Sequence, residues 1–398
     1  METLLEQKID QSGTDLQQRL HEKLSADRNG VSTISNIKGG KDMISKRLVT
    51  ACIFVSVLLF FCGGSQAAEV IKIKFANYMP IMHVNTVMMA KFVDDVNKKL
   101  AGRVEITQYA AGTLLTAPKM AGGVASGIAD MGLAHCSYSR GRFPVMELTE
   151  LPLGASSSYI LTHVINDFYD KFKPKEWDGF HPLIFSASPP STIQTLKKPV
   201  HDLEELKGLK IRGTGRSGDI VKALGATTVP VEMMDMYESL RRGVIDGNMG
   251  PYEQLKSFKT GEVLRYHSVA WQAGSGYTFY VIFNKNKWNS LPADVRQVID
   301  ETAKSYIEPW AIAWNKVDLD GAKFFKEQGG QVVPIPEKEI QRWVKAVEPV
   351  IGDYKRDMVA KGYKAAEVDS WIQFIKERIS YWKGQEKVRK IPTAYEVK

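Results

Sequence analysis

The sequence predicts an α/β fold in two similar halves, and three observations carry that prediction. Strand-like and helix-like stretches alternate from Val70 onward. The same alternation begins again after residue 190, and from Leu291 to Gly329 apolar residues recur at helical spacing.

In the first half, "VIKIKFANY" (70–78) alternates apolar residues with lysine and reads as a strand. "NTVMMAKFVDDVNKKL" (85–100) has a helical stripe, and "RVEITQY" (103–109) is the next strand, which completes a βαβ unit. "APKMAGGVASG" (117–127) reads as a short helix and "ADMGLAHC" (129–136) as a buried strand. The second half repeats the order with "LKIRG", "DIVKALGA", "TTVPVE", "DMYESLRRG" and "IDGNMG". The stretch after Leu291 is long for a domain helix, with no glycine before Gly321, and is expected to brace both halves.

Before Val70 the chain reads differently. Residues 1–42 are polar, carry both signs of charge and lack an apolar stripe, as a disordered extension or a misassigned start would. From Met43 the three parts of a secretory signal follow, namely Lys46 and Arg47, the apolar run Leu48 to Phe61, and Ser65-Gln66-Ala67. A signal peptide over 43–67, cleaved after Ala67, and a periplasmic location are therefore expected. Phe61 before Cys62 fills a place where a lipid-anchor motif needs a small residue. Of three cysteines, Cys52 and Cys62 fall within the signal and Cys136 remains, so no internal disulfide can form in the mature chain. Its roughly 330 residues suit two domains. The net charge of +8 is interspersed with acids, as in "DDVNKKL" and "EKEIQRWVK", which is a solvated surface more than a nucleic-acid footprint.

"GLKIRGTGRSGD" (208–219) places Gly213, Gly215 and Gly218 in the spacing of a dinucleotide fingerprint. Arg212 and Lys210 at the strand end, Asp219 near the helix start and Pro230 in the next strand all oppose that reading. A cation at the carboxyl end of a strand fits an acid instead, because ligands of open α/β sheets bind there and a guanidinium fork matches a carboxylate. No G-x-S-x-G elbow, H-E-x-x-H or cysteine–histidine signature names a nucleophile or a metal, so neither an enzyme nor a cofactor is expected.

Several spaced motifs share one resemblance. "KIKFANYMP", "FVDDVNKKLAGRVEITQYAAGTL", "GVASGIADMGL", "LKGLKIRG", "ALGATTVPVEMMDMYESLRRGVIDGNMGP" and "FNKNKWNSLPADVRQVI" resemble, in the same order, the solute-binding proteins of tripartite ATP-independent periplasmic (TRAP) transporters, the DctP-like family. The resemblance implies a type II periplasmic-binding-protein fold. Its two α/β lobes would be 68–189 plus 278–317 and 190–277 plus 318–398, joined by crossing strands, with a long helix spanning both. It implies that Arg212 holds the substrate's carboxylate and that Met233 lines the pocket. Gly250 stands where many members present asparagine, and Thr192 lies near the place of a second arginine found in sialic-acid binders.

Strand ends that should face the cleft add Asn77, Tyr78, His135, Ser137 and Tyr138 as candidates, and the loops of the second half add Tyr252, Trp271 and Tyr277. His135 reads equally as a core histidine or a metal ligand, but the other histidines lack ligand spacing. Arg140 and Arg142 stand as candidates for a second anionic group or as rim charges. The expected function is capture of an organic acid, a monocarboxylate with an aromatic or branched body, for delivery to a TRAP-type membrane permease. A ligand-sensing partner of a receptor and a secreted α/β enzyme are the alternatives. The expected partners are the small acid and the permease, with no nucleic acid, and the expected state is a monomer or a dimer.

Overall fold

The computed structural model describes residues 69–395, so the expected signal at 43–67 and the segment 1–42 lie outside the described residues. In β1 (Ile71–Asn77) Ile73 and Phe75 are buried while Lys72 and Lys74 are exposed, the period of two that a half-covered strand requires. Helix α1 (Val84–Lys99) starts where the His83 side chain accepts from the Asn85 N–H, and it leads to β2 (Val104–Tyr109). A short α2 (Met120–Ala125) precedes β3 (Met131–His135), and α3 (Ser158–Phe172), capped by Ser157, precedes β4 (Phe180–Ala187).

The second half runs β5 (Thr192–Thr195), β6 (Lys210–Arg212), α4 (Gly215–Ala223), β7 (Thr227–Val229), α5 (Met236–Arg241), β8 (Gly247–Gly250), α6 (Tyr252–Ser257) and β9 (Tyr266–Ser268). Gly213 and Gly218 touch each other across the turn into α4, where an added Cβ on Gly213 would lie 2.9 Å from the Gly218 Cα. Close packing of strand end on helix thus accounts for two of the three fingerprint glycines.

The chain then returns with β10 (Thr278–Asn284), α7 (Lys285–Ser290), α8 (Ala293–Ser305), α9 (Ile307–Glu327), β11 (Gln331–Val333), α10 (Glu337–Ala360) and α11 (Ala365–Val388). Two sheets result, in the orders β2-β1-β3-β10-β4 and β11-β9-β5-β8-β6-β7. β10 enters the first sheet antiparallel to both β3 and β4, and every residue of β3 and β10 is buried, as central strands require. Among the described residues the chain crosses between the sheets three times, after β4, before β10 and through α9, and the first two crossings run side by side, the Ser188 N–H donating to the Tyr277 carbonyl and the Ser191 N–H to that of Ser275. Gly274 makes the approach possible, because a Cβ there would sit 2.2 Å from the Ser191 carbonyl oxygen.

The single long helix expected after Leu291 is two helices. The chain breaks at Tyr306, between α8 and α9, because Pro309 has no N–H for the Ser305 carbonyl and its ring crowds that oxygen. The bracing role falls to α9 alone, which packs on α3 beside the first sheet and on α6 beside the second. α10 packs on α4, while α11 packs along α3.

Candidate functional site

β6 lies between β7 and β8 in the second sheet, with Arg212 opposite Val229 and Asn248. Ile211 points into the core, and the next residue, by the alternation of a strand, emerges at the strand's carboxyl end. Arg212 is nonetheless only 1% exposed. Its Nε donates to the Val231 carbonyl at 3.0 Å, Nη1 to the Tyr277 hydroxyl at 3.2 Å and Nη2 to the Tyr138 hydroxyl at a long 3.5 Å. No carboxylate among the described residues lies within ion-pair distance of it. A buried guanidinium met only by neutral oxygens has the chemistry to take an anionic partner.

Residues from the first sheet complete the surroundings. The Tyr138 hydroxyl, which accepts from Arg212, also accepts from the Met233 N–H at 2.9 Å, and so ties the two halves together. The His135 ring lies 4.1 Å from that of Tyr138 and 4.8 Å from that of Tyr277, and Tyr78 stands edge-on to Tyr138 at 5.6 Å. Burial, then the charge of Arg212, pushes the His135 pKa well below the usual imidazole range, so the ring is neutral. Burial likewise raises the Tyr78 and Tyr138 hydroxyls, which stay protonated. Arg212, Tyr78, His135, Tyr138, Tyr277 and the backbone of Met233 are therefore brought together.

Other candidates have different employment. Asn77 is buried and spends its amide within its own half, donating to Thr86 Oγ1 and accepting from the Met79 N–H. The side-chain space of Gly250 is filled by Gln254 and Asn248, which hydrogen-bond to each other at 3.0 Å. The glycine therefore admits a polar pair of the protein and does not by itself enlarge a pocket. Tyr252 packs against His267 and Tyr395, and Trp271 is half-buried in a tight turn that packs on α10. Thr192 is hydrogen-bonded to His267. Arg140 pairs with Asp219 at 2.7 Å near the surface, and Arg142 lies over the Phe180 ring.

Some participants left little sign in the sequence. Ser217, in the fingerprint stretch, hydrogen-bonds to the Tyr277 hydroxyl at 3.1 Å, behind its contact with Arg212. Arg216, one residue earlier, is buried and paired with the equally buried Glu147 at 2.9 Å. Glu150 accepts from Ser137 and from the Thr278 N–H, and burial raises its pKa to about 7 against those bonds.

Comparison with known proteins identifies the family and the fold. Residues 75–357 match the family described as bacterial extracellular solute-binding protein, family 7 (DctP). The 2,3-diketo-L-gulonate-binding periplasmic protein YiaO of Escherichia coli is 26% identical over 79% of this chain and 94% of its own. The crystal structure of a TRAP periplasmic solute-binding protein from Desulfovibrio salexigens is 33% identical, covers 78% of this chain and 96% of its own, and superposes with a TM-score of 0.68. A TRAP solute-binding protein from Rhodoferax ferrireducens, crystallised with copurified benzoate, shares the fold at 24% identity and a TM-score of 0.73, over 79% of this chain and 99% of its own. Such proteins bind small organic acids and work with membrane permease components, and none of these relatives is an enzyme. No helix among the described residues is long and apolar enough to cross a membrane. With the buried arginine on its strand end, the crossed pair of sheets and the match over most of its length, the chain belongs to the bacterial extracellular solute-binding protein family 7 and is a TRAP-type solute-binding protein.

Proposed function

We propose that the protein captures a monocarboxylate with a planar or branched apolar body, holds its carboxylate on Arg212, and presents the closed complex to a TRAP permease. The observation that carries this reading is Arg212 itself, enclosed without an acid partner and surrounded by Tyr78, His135, Tyr138 and Tyr277. Rings on several sides suit an apolar body, and a guanidinium with no acid partner among the described residues suits one carboxylate. The benzoate in the Rhodoferax relative and the diketogulonate of the Escherichia coli one are both monocarboxylates. Capture would close two lobes, 68–189 with 278–317 and 190–277 with 318–398, about the paired crossings at 188–191 and 274–277. The exported form would begin near Ala68, which amino-terminal sequencing of the periplasmic protein checks.

Titration calorimetry with benzoate and benzamide tests the anchor. The wild type should bind the acid and lose affinity for the neutral amide. Arg212→Ala should weaken the acid by about 2 to 5 kcal/mol, roughly 30-fold to several thousand-fold, and barely distinguish the two. Arg212→Lys should restore only part, because a point charge does not reproduce the two parallel bonds of the fork. A mutant that keeps the full preference for the acid would place the carboxylate elsewhere.

A further inference from the structure

The protein leaves the His135 imidazole partly unused. Its ring stands beside the two tyrosines whose hydroxyls accept from Arg212, with Phe279 edge-on at 5.3 Å and Tyr78 at 6.3 Å. Its Nδ1 is buried and has no hydrogen-bond partner among the described residues. An unpaired buried nitrogen costs about 1 to 3 kcal/mol and calls for an explanation. Protonation does not supply one, since the ring is held neutral beside the guanidinium. A neutral imidazole carries one N–H and one lone pair, so Nδ1 is a single directional donor or acceptor set in a wall of rings.

We infer that His135 Nδ1 is the second recognition point of the pocket and reads a hydroxyl on the body of the acid, so that the preferred substrates are hydroxylated, ring-bearing monocarboxylates. The inference rests on the proposed role of Arg212. A hydroxyl fits either tautomer, because it can donate to the lone pair or accept from the N–H. A methoxy group can only accept, and a ring C–H does neither. Sites that hydrogen-bond a substrate hydroxyl discriminate against the analogue that lacks it, because the buried partner is then left unpaired. The ring contacts that tie His135 to Tyr138 and Tyr277 place the reading point next to the anchor, within the span of one small molecule.

The test is calorimetry of the full mature chain with benzoate, its three monohydroxy isomers and the matching methoxybenzoates, together with phenylacetate and mandelate. At least one hydroxy acid should bind roughly tenfold more tightly than its parent, a single well-made hydrogen bond in fold-change. His135→Phe, which keeps a ring among rings but has no nitrogen, should erase that gap, so that the hydroxy acid and its parent bind it alike. In the wild type the nitrogen resonance of His135 Nδ1 should shift on adding the preferred hydroxy acid and stay near its free position with the parent. Equal binding of hydroxylated and plain acids overturns the inference while leaving the Arg212 reading in place. A hydroxyl preference that survives in His135→Phe, or that leaves the Nδ1 resonance unmoved in the wild type, overturns it as well. Failure of every acid to bind overturns both. The ligand series and the resonance need no variant, so the result stands even if His135→Phe fails to fold.

Discussion

A guanidinium withdrawn from water without a countercharge works against the fold that encloses it. Arg212→Ala is therefore expected to lose affinity while its ligand-free melting temperature falls by much less than that of a core truncation, which scanning calorimetry beside the titration measures. Glu150 gives a pH dependence of definite sign. Burial lifts its carboxyl to about 7, and burial does the same for Glu176. With folded values above the ordinary one, both carboxyls hold their protons in the folded state. The stability this contributes is complete below about pH 4.5 and is lost as pH rises through about 7, on the order of 3 kcal/mol for each group. Denaturant titrations should show stability falling over that window, and Glu150→Gln should flatten one group's share; an unchanged slope would sink the assignment. The sequence made Arg212 legible because a cation at a strand's carboxyl end is conspicuous, and His135 and Tyr138 followed from the same geometry. It could not show that the Asn77 amide is consumed by Thr86 and Met79, or that Gln254 and Asn248 occupy the space at Gly250, because hydrophobic periodicity does not record which neighbour a polar side chain bonds within a short stretch of chain.

Among elements, the parallel strands were the most legible, since lysines alternating with Ile71, Ile73 and Phe75 announce a half-covered sheet. The break at Tyr306 was not, because the apolar spacing continues through it and only Pro309 marks it. Helix α3 was hidden for a different reason. Tyr159, Ile160, Leu161, His163, Val164 and Ile165 are all buried, and its charged residues are confined to the last two turns. The paired crossings supply the prediction at this scale. Gly274→Ala would set a methyl group 2.2 Å from the Ser191 oxygen, where backbone must move to make room. A loss of roughly 1 to 3 kcal/mol is expected in chemical denaturation, together with altered affinity for the acid, because the same strands carry Tyr277 to the guanidinium. A fully stable Gly274→Ala with native affinity would show that the crossings do not govern the site.

Across the whole molecule, the two halves are fastened on one side by charge. Arg216 of α4, beside the second sheet, reaches Glu147, in the turn that follows the first sheet's β3, with both side chains nearly buried. Arg140, just after β3, reaches Asp219 of α4 in the opposite sense, but at the surface, where its contribution is small. Glu147→Ala should leave the Arg216 charge without its buried partner. It is expected to favour an opened arrangement, seen as a larger radius of gyration in solution scattering without ligand, and to weaken acid binding by the cost of closing. Identical scattering for the variant and the wild type would remove the pair from any role in closure. The placing of β10 has a consequence for how the chain matures. Among the described residues β4 has no neighbour in its sheet except β10, which is made only after the whole of the second half's strands from β5 to β9. The first sheet therefore stays open-ended while most of the protein is synthesised, and it closes through contacts far apart in sequence, which form slowly. A topology that postpones its own completion leaves the polypeptide incompletely folded for longer than two independently folding halves would.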